Sequence, residues 1–229
     1  MQSKQVVYHC IISFFIVVMP VCSQELPGVS RRDALQNYRI GRDLEARNRM
    51  AEAEIYYNEA VRICNDEIAR NPSNMDSYTV LTWTLQRQGK YTEVINWGEQ
   101  GQRIGGTDYR IIETMGEAYF YLTNYDLSLQ FMQRYVNFLP QGERTSVAYF
   151  FIGEIYRLRR KFRHADIAYT TAVRLDPGSA LWWYRLGTVR ESAGEYAPAA
   201  EAYERALRLN PNYREANEGL ARSRQSGQG

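Results

Sequence analysis

The stretch that decides the fold is residues 180–213, which reads ALWWYRLGTVRESAGEYAPAAEAYERALRLNPNY. Its apolar and small residues recur at intervals of three to four in two blocks, one on each side of Gly194. These residues are Trp183, Leu186, Gly187, Ala199, Tyr203 and Ala206. Such spacing places each block on one face of a helix. Pro211 lacks an amide hydrogen and disfavours helix at the residue before it, so the stretch predicts a helix hairpin that ends there.

The order W-x-x-L-G, then A-x-x-x-Y, then P, formed by these residues and Pro211, resembles the signature of the tetratricopeptide repeat. That repeat is a helix-turn-helix unit of about 34 residues. The resemblance implies an all-α fold, a right-handed α-solenoid of about five stacked hairpins. Aligning the chain on this stretch gives five units, and residues 214–229 then form a capping helix with a frayed tail. The units are 34–74, 75–108, 109–142, 146–179 and 180–213.

Three departures from the repeat pattern bear on the stack. Pro72 closes the first unit seven residues late, which predicts a second helix longer by almost two turns. In the second unit Thr82 replaces the small residue of the first helix, and Gly98 and Gly101 lie within the second helix. Glycine inside a helix costs about 0.5 to 1 kcal/mol relative to alanine, so this unit is predicted to be the softest. Residues 143–145 are inserted between the third and fourth units.

Composition and charge argue against nucleic acid as a partner. The chain has 28 basic and 26 acidic residues and a formal net charge of +2. These charges are dispersed along the helices, whereas phosphate binding needs a basic face or stripe. The apolar share of 45% suffices for an ordinary globular core.

The sequence offers no catalytic residue, metal ligand set or cofactor motif. His164 is the one histidine outside the first 23 residues, and no serine or cysteine nucleophile motif accompanies it. There is no glycine-rich phosphate loop after a strand and no His or Cys pair at metal-binding spacing. Cys64 falls on the apolar side of a helical stretch, which predicts a buried, inert thiol. We therefore expect a binding module rather than an enzyme.

The amino terminus has the order of a secretory leader. Lys4 precedes an apolar run that ends before Pro20 and small residues, so residues 1–23 are predicted to be a signal peptide cleaved before Gln24. Two alternatives are an uncleaved amino-terminal anchor and a lipidated Cys22, either of which would associate the chain with a membrane. Residues 24–33 are a linker. All three interpretations predict an exported protein, periplasmic or associated with the cell envelope.

The repeat register predicts which residues face a binding groove. In stacked hairpins of this kind the first helices line a concave groove, and each unit supplies one aromatic residue there. Aromatic residues give large contact area and are enriched at binding hot spots. The predicted aromatic residues are Tyr38, Trp83, Phe120, Phe150 and Tyr184. The predicted charged residues, which would set the register of a peptide, are Arg42, Arg110, Glu113, Glu117, Glu154 and Arg157. Individual rings could instead only pack between neighbouring helices.

Two functions fit these features. The leading one is a non-catalytic scaffold that binds a protein or peptide partner in the groove, within an envelope assembly or transport complex. The alternative is a module that captures an apolar or aromatic small ligand and serves a membrane partner. The transport and envelope roles depend on the leader and on resemblance to exported repeat proteins.

Overall fold

A computed structural model describes residues 33–227 of the chain. The predicted leader, Cys22 and most of the predicted linker lie outside the described residues. Within 33–227 the chain forms eleven helices and no strands. The helices are α1 (Ala34–Ala46), α2 (Met50–Arg70), α3 (Met75–Arg87), α4 (Tyr91–Gly105), α5 (Tyr109–Tyr121), α6 (Tyr125–Phe138), α7 (Thr145–Leu158), α8 (Phe162–Leu175), α9 (Ala180–Ser192), α10 (Tyr196–Leu209) and α11 (Arg214–Ser226).

The first ten helices form five hairpins that stack in chain order. Each first helix packs against its own second helix, and α1, α3, α5 and α7 also contact one another in succession. Each second helix packs against the first helix of the next hairpin. This arrangement places the first helices along one side of the stack, as expected for an α-solenoid. The predicted all-α fold of helical hairpins is confirmed.

The first and last parts of the stack each depart from the regular hairpin. Helix α2 has 21 residues, against 14 in α6, which matches the longer helix predicted from the late Pro72. At the other end α11 packs on α9 and α10, and buries Ala216 and Leu220 in a cluster with Tyr203. Its remaining faces are polar, so α11 covers the apolar side of the last hairpin.

In four of the five hairpins a glycine on the first helix makes room for a large side chain of the second helix. In the fifth hairpin a Cβ at Gly187 would lie 2.7 Å from the ring of Tyr203, and a Cβ at Gly153 would lie 2.6 Å from the ring of Tyr169 in the fourth. The second hairpin reverses this arrangement. Thr82 fills the position on the first helix, and a Cβ at Gly98 on the second would lie 2.6 Å from the sulfur of Met115.

The glycines of α4 are therefore positions where neighbouring side chains pack closely, and they leave no gaps in the stack. Gly98 receives a side chain from the following hairpin, and a Cβ at Gly101 would lie 3.1 Å from the ring of Tyr78. Close approach of a helix backbone to a neighbouring side chain requires glycine at such positions. The helical cost of each glycine is therefore offset by contacts that a larger residue would prevent. Whether this hairpin is the softest stays a prediction.

The insertion folds into a compact turn between α6 and α7. The amide of Gly142 donates to the carbonyl of Leu139 at 3.1 Å, and the Thr145 hydroxyl donates to the same carbonyl at 2.6 Å. The backbone amide of Arg144 donates to the Tyr135 hydroxyl at 3.3 Å. The inserted residues therefore hold Arg144 at a fixed place beside the first helices.

Cys64 lies in the core between the first two hairpins. It is fully buried and free, and burial raises the pKa of its thiol to about 12. The predicted burial of Cys64 is confirmed, and a buried cysteine that stays in its thiol form is expected to be unreactive.

Candidate functional site

A cavity of about 750 Å³ opens on the side of the stack formed by the first helices. Helices α1, α3 and α5 line it, and the turn at 142–144 closes one end. A cavity of this volume is in the range of protein ligand sites. Six of the eleven residues predicted to face the groove line this cavity. They are Tyr38, Arg42, Trp83, Arg110, Glu113 and Glu117.

Two carboxylates one helical turn apart form the polar centre of the cavity. Glu113 is 2% exposed and Glu117 is 6% exposed, and both come from α5. The Arg144 guanidinium donates to Glu113 Oε1 from Nε at 3.1 Å, and Nη2 donates to Glu117 Oε1. Glu117 Oε2 accepts a second hydrogen bond from the side-chain amide of Gln86 on α3. Three separate segments thus converge on one carboxylate pair.

The charges of this pair are incompletely balanced. Burial raises the pKa of Glu113 well above its ordinary range, and the neighbouring Glu117 raises it further. Arg144 opposes both effects without cancelling them. Burial also disfavours the charged form of Arg144, yet the two carboxylates hold its pKa above the usual arginine value. The site therefore sets two buried acids against one guanidinium.

Aromatic rings stand on two sides of the carboxylate pair. The rings of Tyr38 and Trp83 lie 5.7 Å apart between centroids. Tyr91 and Tyr121 stack with centroids 4.6 Å apart and planes 12° from parallel. All four rings line the cavity. They provide apolar surface beside the charged groups, a combination that suits amphipathic side chains such as those of lysine, arginine and tyrosine.

Arginines occupy the rim of the cavity. Arg110 Nη2 lies 2.6 Å from Asp108 Oδ2 and 3.0 Å from Asp76 Oδ1, so its charge is matched locally. Arg42 is exposed, and its Nη2 lies 3.9 Å from a carboxylate oxygen of Asp43. The cavity therefore presents both signs of charge, with acids at its centre and bases at its edge.

The other five predicted residues do not line this cavity. The Phe120 ring meets Phe151 edge-on with centroids 5.0 Å apart. Phe150 stacks on Trp182 at 5.3 Å, and Tyr184 lies 5.0 Å from Tyr213. The sequence left open whether these three rings face a groove or only pack between helices, and the structure shows them packed against other rings.

Glu154 and Arg157 belong to a separate network on α7. Glu154 is buried and pairs with Arg157 Nη2 at 2.7 Å and with Arg185 Nε at 2.9 Å. It also accepts a hydrogen bond from the hydroxyl of Tyr169. This carboxylate is thus matched by two guanidiniums of its own chain.

Sequence reasoning missed Arg144, Tyr91 and Tyr121 as lining residues. Arg144 lies in the insertion, outside any repeat position, and the two tyrosines lie near the inter-helix turns rather than at the groove-facing places of the register. The insertion itself was the available signal, because residues added between regular units often carry function.

No group of three or more His, Cys, Asp or Glu within 33–227 is arranged to hold a metal ion. In the same range no helix combines the length and apolar character needed to cross a bilayer.

These features define a class of protein: an α-solenoid of helical hairpins with a polar and aromatic cavity on the side of its first helices. Two models of the tetratricopeptide-repeat family match the chain, one at 146–179 and the other at 180–213. The chain therefore contains tetratricopeptide repeats at 146–213. This family is generally non-catalytic, and its members generally bind proteins or peptides.

Solved structures agree on the fold. A MamA double mutant has a TM-score of 0.61 at 17% identity, with 78% of this chain and 94% of that chain covered. YrrB, described as a tetratricopeptide-repeat protein with an unusual peptide-binding site, has a TM-score of 0.55 at 19% identity, with 81% and 91% covered. At these identities the likeness concerns the fold alone.

Curated relatives include a much longer enzyme. Human protein O-mannosyl-transferase TMTC1 is 26% identical over 170 residues, which are 72% of this chain and 19% of that protein. The mouse protein of the same name is 31% identical over 96 residues, which are 42% and 10% respectively. The chain therefore spans a fifth or less of the length of these relatives.

Proposed function

We propose that the chain is a non-catalytic scaffold that holds an extended or helical segment of a partner protein in the cavity between α1, α3 and α5. The observation that carries this proposal is the composition of the cavity. It combines five aromatic rings, two buried carboxylates and arginines at the rim within about 750 Å³. Peptide side chains offer the same mixture of apolar, basic and acidic groups.

Aromatic anchors explain how such a cavity would hold a flexible segment. Binding orders the segment at an entropic cost, and large rigid rings recover free energy with few rotatable bonds. Trp83 is the central ring, since α3 lies between the other two lining helices and Trp83 pairs with Tyr38 of α1. We therefore place the strongest anchor at Trp83.

We also propose that the scaffold is exported and acts in the periplasm or at the cell envelope, in an assembly or transport complex. Support comes from the order of residues 4–23, basic, then apolar, then small. Mass spectrometry of the mature amino terminus tests this part separately. Free Gln24 or lipidated Cys22 would support export, whereas a cytoplasmic protein that retains Met1 would contradict it.

A test of the groove uses peptides selected from a random dodecapeptide phage library on the purified protein. Trp83→Ala should weaken the selected peptides by at least about tenfold, because hot-spot aromatics contribute 2 kcal/mol or more. The matched control is Phe138→Ala, an aromatic that is 59% exposed on the second helix α6 and absent from the cavity lining. Equal binding by the parent and Trp83→Ala proteins would reject the groove.

A small apolar or aromatic ligand is the second candidate, and the two aromatic pairs of the cavity favour it. Buried carboxylates at the centre of the cavity oppose it, because an apolar ligand would leave them further desolvated. A thermal-shift screen of aromatic compounds separates the two functions, since a ligand of the folded state raises the melting temperature. A compound that shifts the parent protein but not Trp83→Ala, with no peptide selected, would replace the peptide proposal.

A further inference from the structure

We infer that the bound segment places a lysine or arginine side chain at the Glu113–Glu117 pair, in the position that Arg144 holds in the free protein. In the free protein the guanidinium of Arg144 then occupies the position that the partner's cation takes on binding. The inference depends on the proposed function, because it concerns the same cavity and names the chemistry of its occupant.

Charge balance is the first argument. Glu113 and Glu117 lie at 2% and 6% exposure and face one guanidinium, that of Arg144. The other titratable group that faces Glu113 is the Tyr135 hydroxyl on α6, which adds no positive charge. A buried carboxylate needs a charged or hydrogen-bonding partner for each ionised group. The pair is therefore a binding position for a cation, which Arg144 occupies in the free protein.

The same chain shows what a completed carboxylate site looks like. Glu154 is buried to the same degree as Glu117, at 6% exposure, and it pairs with both Arg157 and Arg185. There one carboxylate faces two guanidiniums of the chain. At the cavity two carboxylates face one guanidinium, and the space beside them is open. The difference indicates that a cation from outside the chain can reach the carboxylate pair of the cavity.

Arg144 can leave its position without disrupting the fold. Its side chain is 46% exposed, and it projects from the turn between α6 and α7 rather than from within a helix. The turn is held by other bonds, through the Thr145 hydroxyl to the Leu139 carbonyl and through the Arg144 amide to the Tyr135 hydroxyl. Only the side chain of Arg144 depends on the carboxylates.

The surroundings of the pair suit a long cationic side chain. Tyr91 and Tyr121 stack beside Glu117 and line the same cavity. Aromatic faces attract guanidinium and ammonium groups and also cover their aliphatic stems. A neutral or acidic side chain would gain from the rings but would leave the carboxylate pair short of charge.

The experiment uses the peptides selected from the random library. We expect them to be enriched in arginine or lysine, and replacing that residue with citrulline or glutamine should weaken binding at least tenfold. Glu113→Gln/Glu117→Gln should cause the same loss, with no further loss when both changes are combined. The control is Glu93→Gln/Glu99→Gln, which removes the same charge from exposed positions of α4 and should bind like the parent.

A second variant keeps the test decisive if the glutamine pair folds poorly. Arg144→Gln removes the internal competitor, so it should strengthen binding of the cationic peptides severalfold. Peptides that depend on Trp83 but lack a cation, or that bind Arg144→Gln no better than the parent, would overturn this inference and leave the proposed function intact. Peptides that are indifferent to Trp83 would overturn the proposed function itself.

Discussion

The two halves of the first-helix face are built on one repeat pattern and differ in what fills them. Between α1, α3 and α5 a cavity of about 750 Å³ stays open around Glu113 and Glu117. Between α7 and α9 the equivalent space is taken by Phe150 stacked on Trp182 and by the Glu154 network. The comparison teaches that a groove-facing place in the repeat lines a cavity only where the neighbouring hairpin leaves the space open.

One residue accounts for much of the difference. The third position of each unit holds a small or medium side chain in the first four hairpins and Trp182 in the fifth. Trp182 is 9% exposed and covers the ring of Phe150. The large ring at this position packs with Phe150 in the core of the carboxyl-terminal half.

The largest expected effect is the contrast between two tryptophan-to-alanine substitutions, one in each half of the first-helix face. Trp182→Ala should lower the free energy of unfolding by about 3 kcal/mol, because it removes a nearly buried aromatic side chain. Peptide binding by the folded variant should stay within threefold of the parent. Trp83→Ala should lower stability by only about 1 kcal/mol, since its ring lies partly exposed at the cavity, while binding falls at least tenfold. Chemical denaturation measures the stability of both variants, and peptide titration measures their binding. A Trp83→Ala protein that loses more stability and less binding than Trp182→Ala would contradict this comparison.

A second contrast concerns the glycines of the two halves. Gly187→Ala should cost about 2 kcal/mol, because the added Cβ meets the buried Tyr203 ring at 2.7 Å and rigid overpacking is costly. Gly98→Ala should change stability by less than about 1 kcal/mol, since the contacting Met115 side chain is flexible and alanine favours the helix. Melting curves of the two variants provide the measurement. Equal losses would show that the second hairpin packs as rigidly as the fifth.

A third prediction compares the two carboxylate sites. Arg144→Gln should lower stability by about 1 kcal/mol at neutral pH, because Glu113 and Glu117 lose their shared guanidinium while the half-exposed site admits water. Arg157→Gln should cost less, since Glu154 keeps Arg185 and the Tyr169 hydroxyl. Urea unfolding at pH 7 distinguishes the two. A larger loss from Arg157→Gln would contradict the charge imbalance inferred for the cavity.

The smallest expected effect is a pH dependence from Glu113. Its pKa is raised in the folded protein above the ordinary value of 4.5, so the folded state binds more protons than the unfolded state above that pH. The stability from this group is complete below pH 4.5 and is lost as the pH rises through the raised pKa. Glu117, Arg144 and the Tyr135 hydroxyl face this carboxyl.

Glu113→Gln should therefore gain melting temperature relative to the parent between pH 5 and pH 8. The control Glu93→Gln, at an exposed position of α4, should follow the parent over the same interval. A Glu113→Gln protein whose melting temperature runs parallel to the parent would show that the carboxyl pair is fully balanced by Arg144.

Much of the fold could be predicted from the sequence, because its signals are local and repeated. The spacing of Trp183, Leu186 and Gly187 and the position of Pro211 indicate hairpins with their turns and ends. The lateness of Pro72 was enough to predict the longer α2. Such features depend on residues three or four apart within one helix, which a sequence displays directly.

The site was only half predictable, for a physical reason. The repeat register predicted that Tyr38, Trp83 and Glu113 face one groove, and all three line the cavity. However, the register assigns the same groove-facing places to every unit. Filling by Trp182 and charge pairing by Arg144 are contacts between hairpins, and they depend on side-chain size and on the path of the inserted turn. No periodicity within one repeat carries that information.

The most direct test of the central claim uses the indole N–H signals of the four tryptophans in a ¹H–¹⁵N spectrum of the labelled protein during titration with a selected peptide. If the peptide binds in the cavity between α1, α3 and α5, the Trp83 signal should shift strongly, and the signals of Trp182 and Trp183 should change little. A shift confined to Trp182 or Trp183 would place the partner on the filled half and contradict the account.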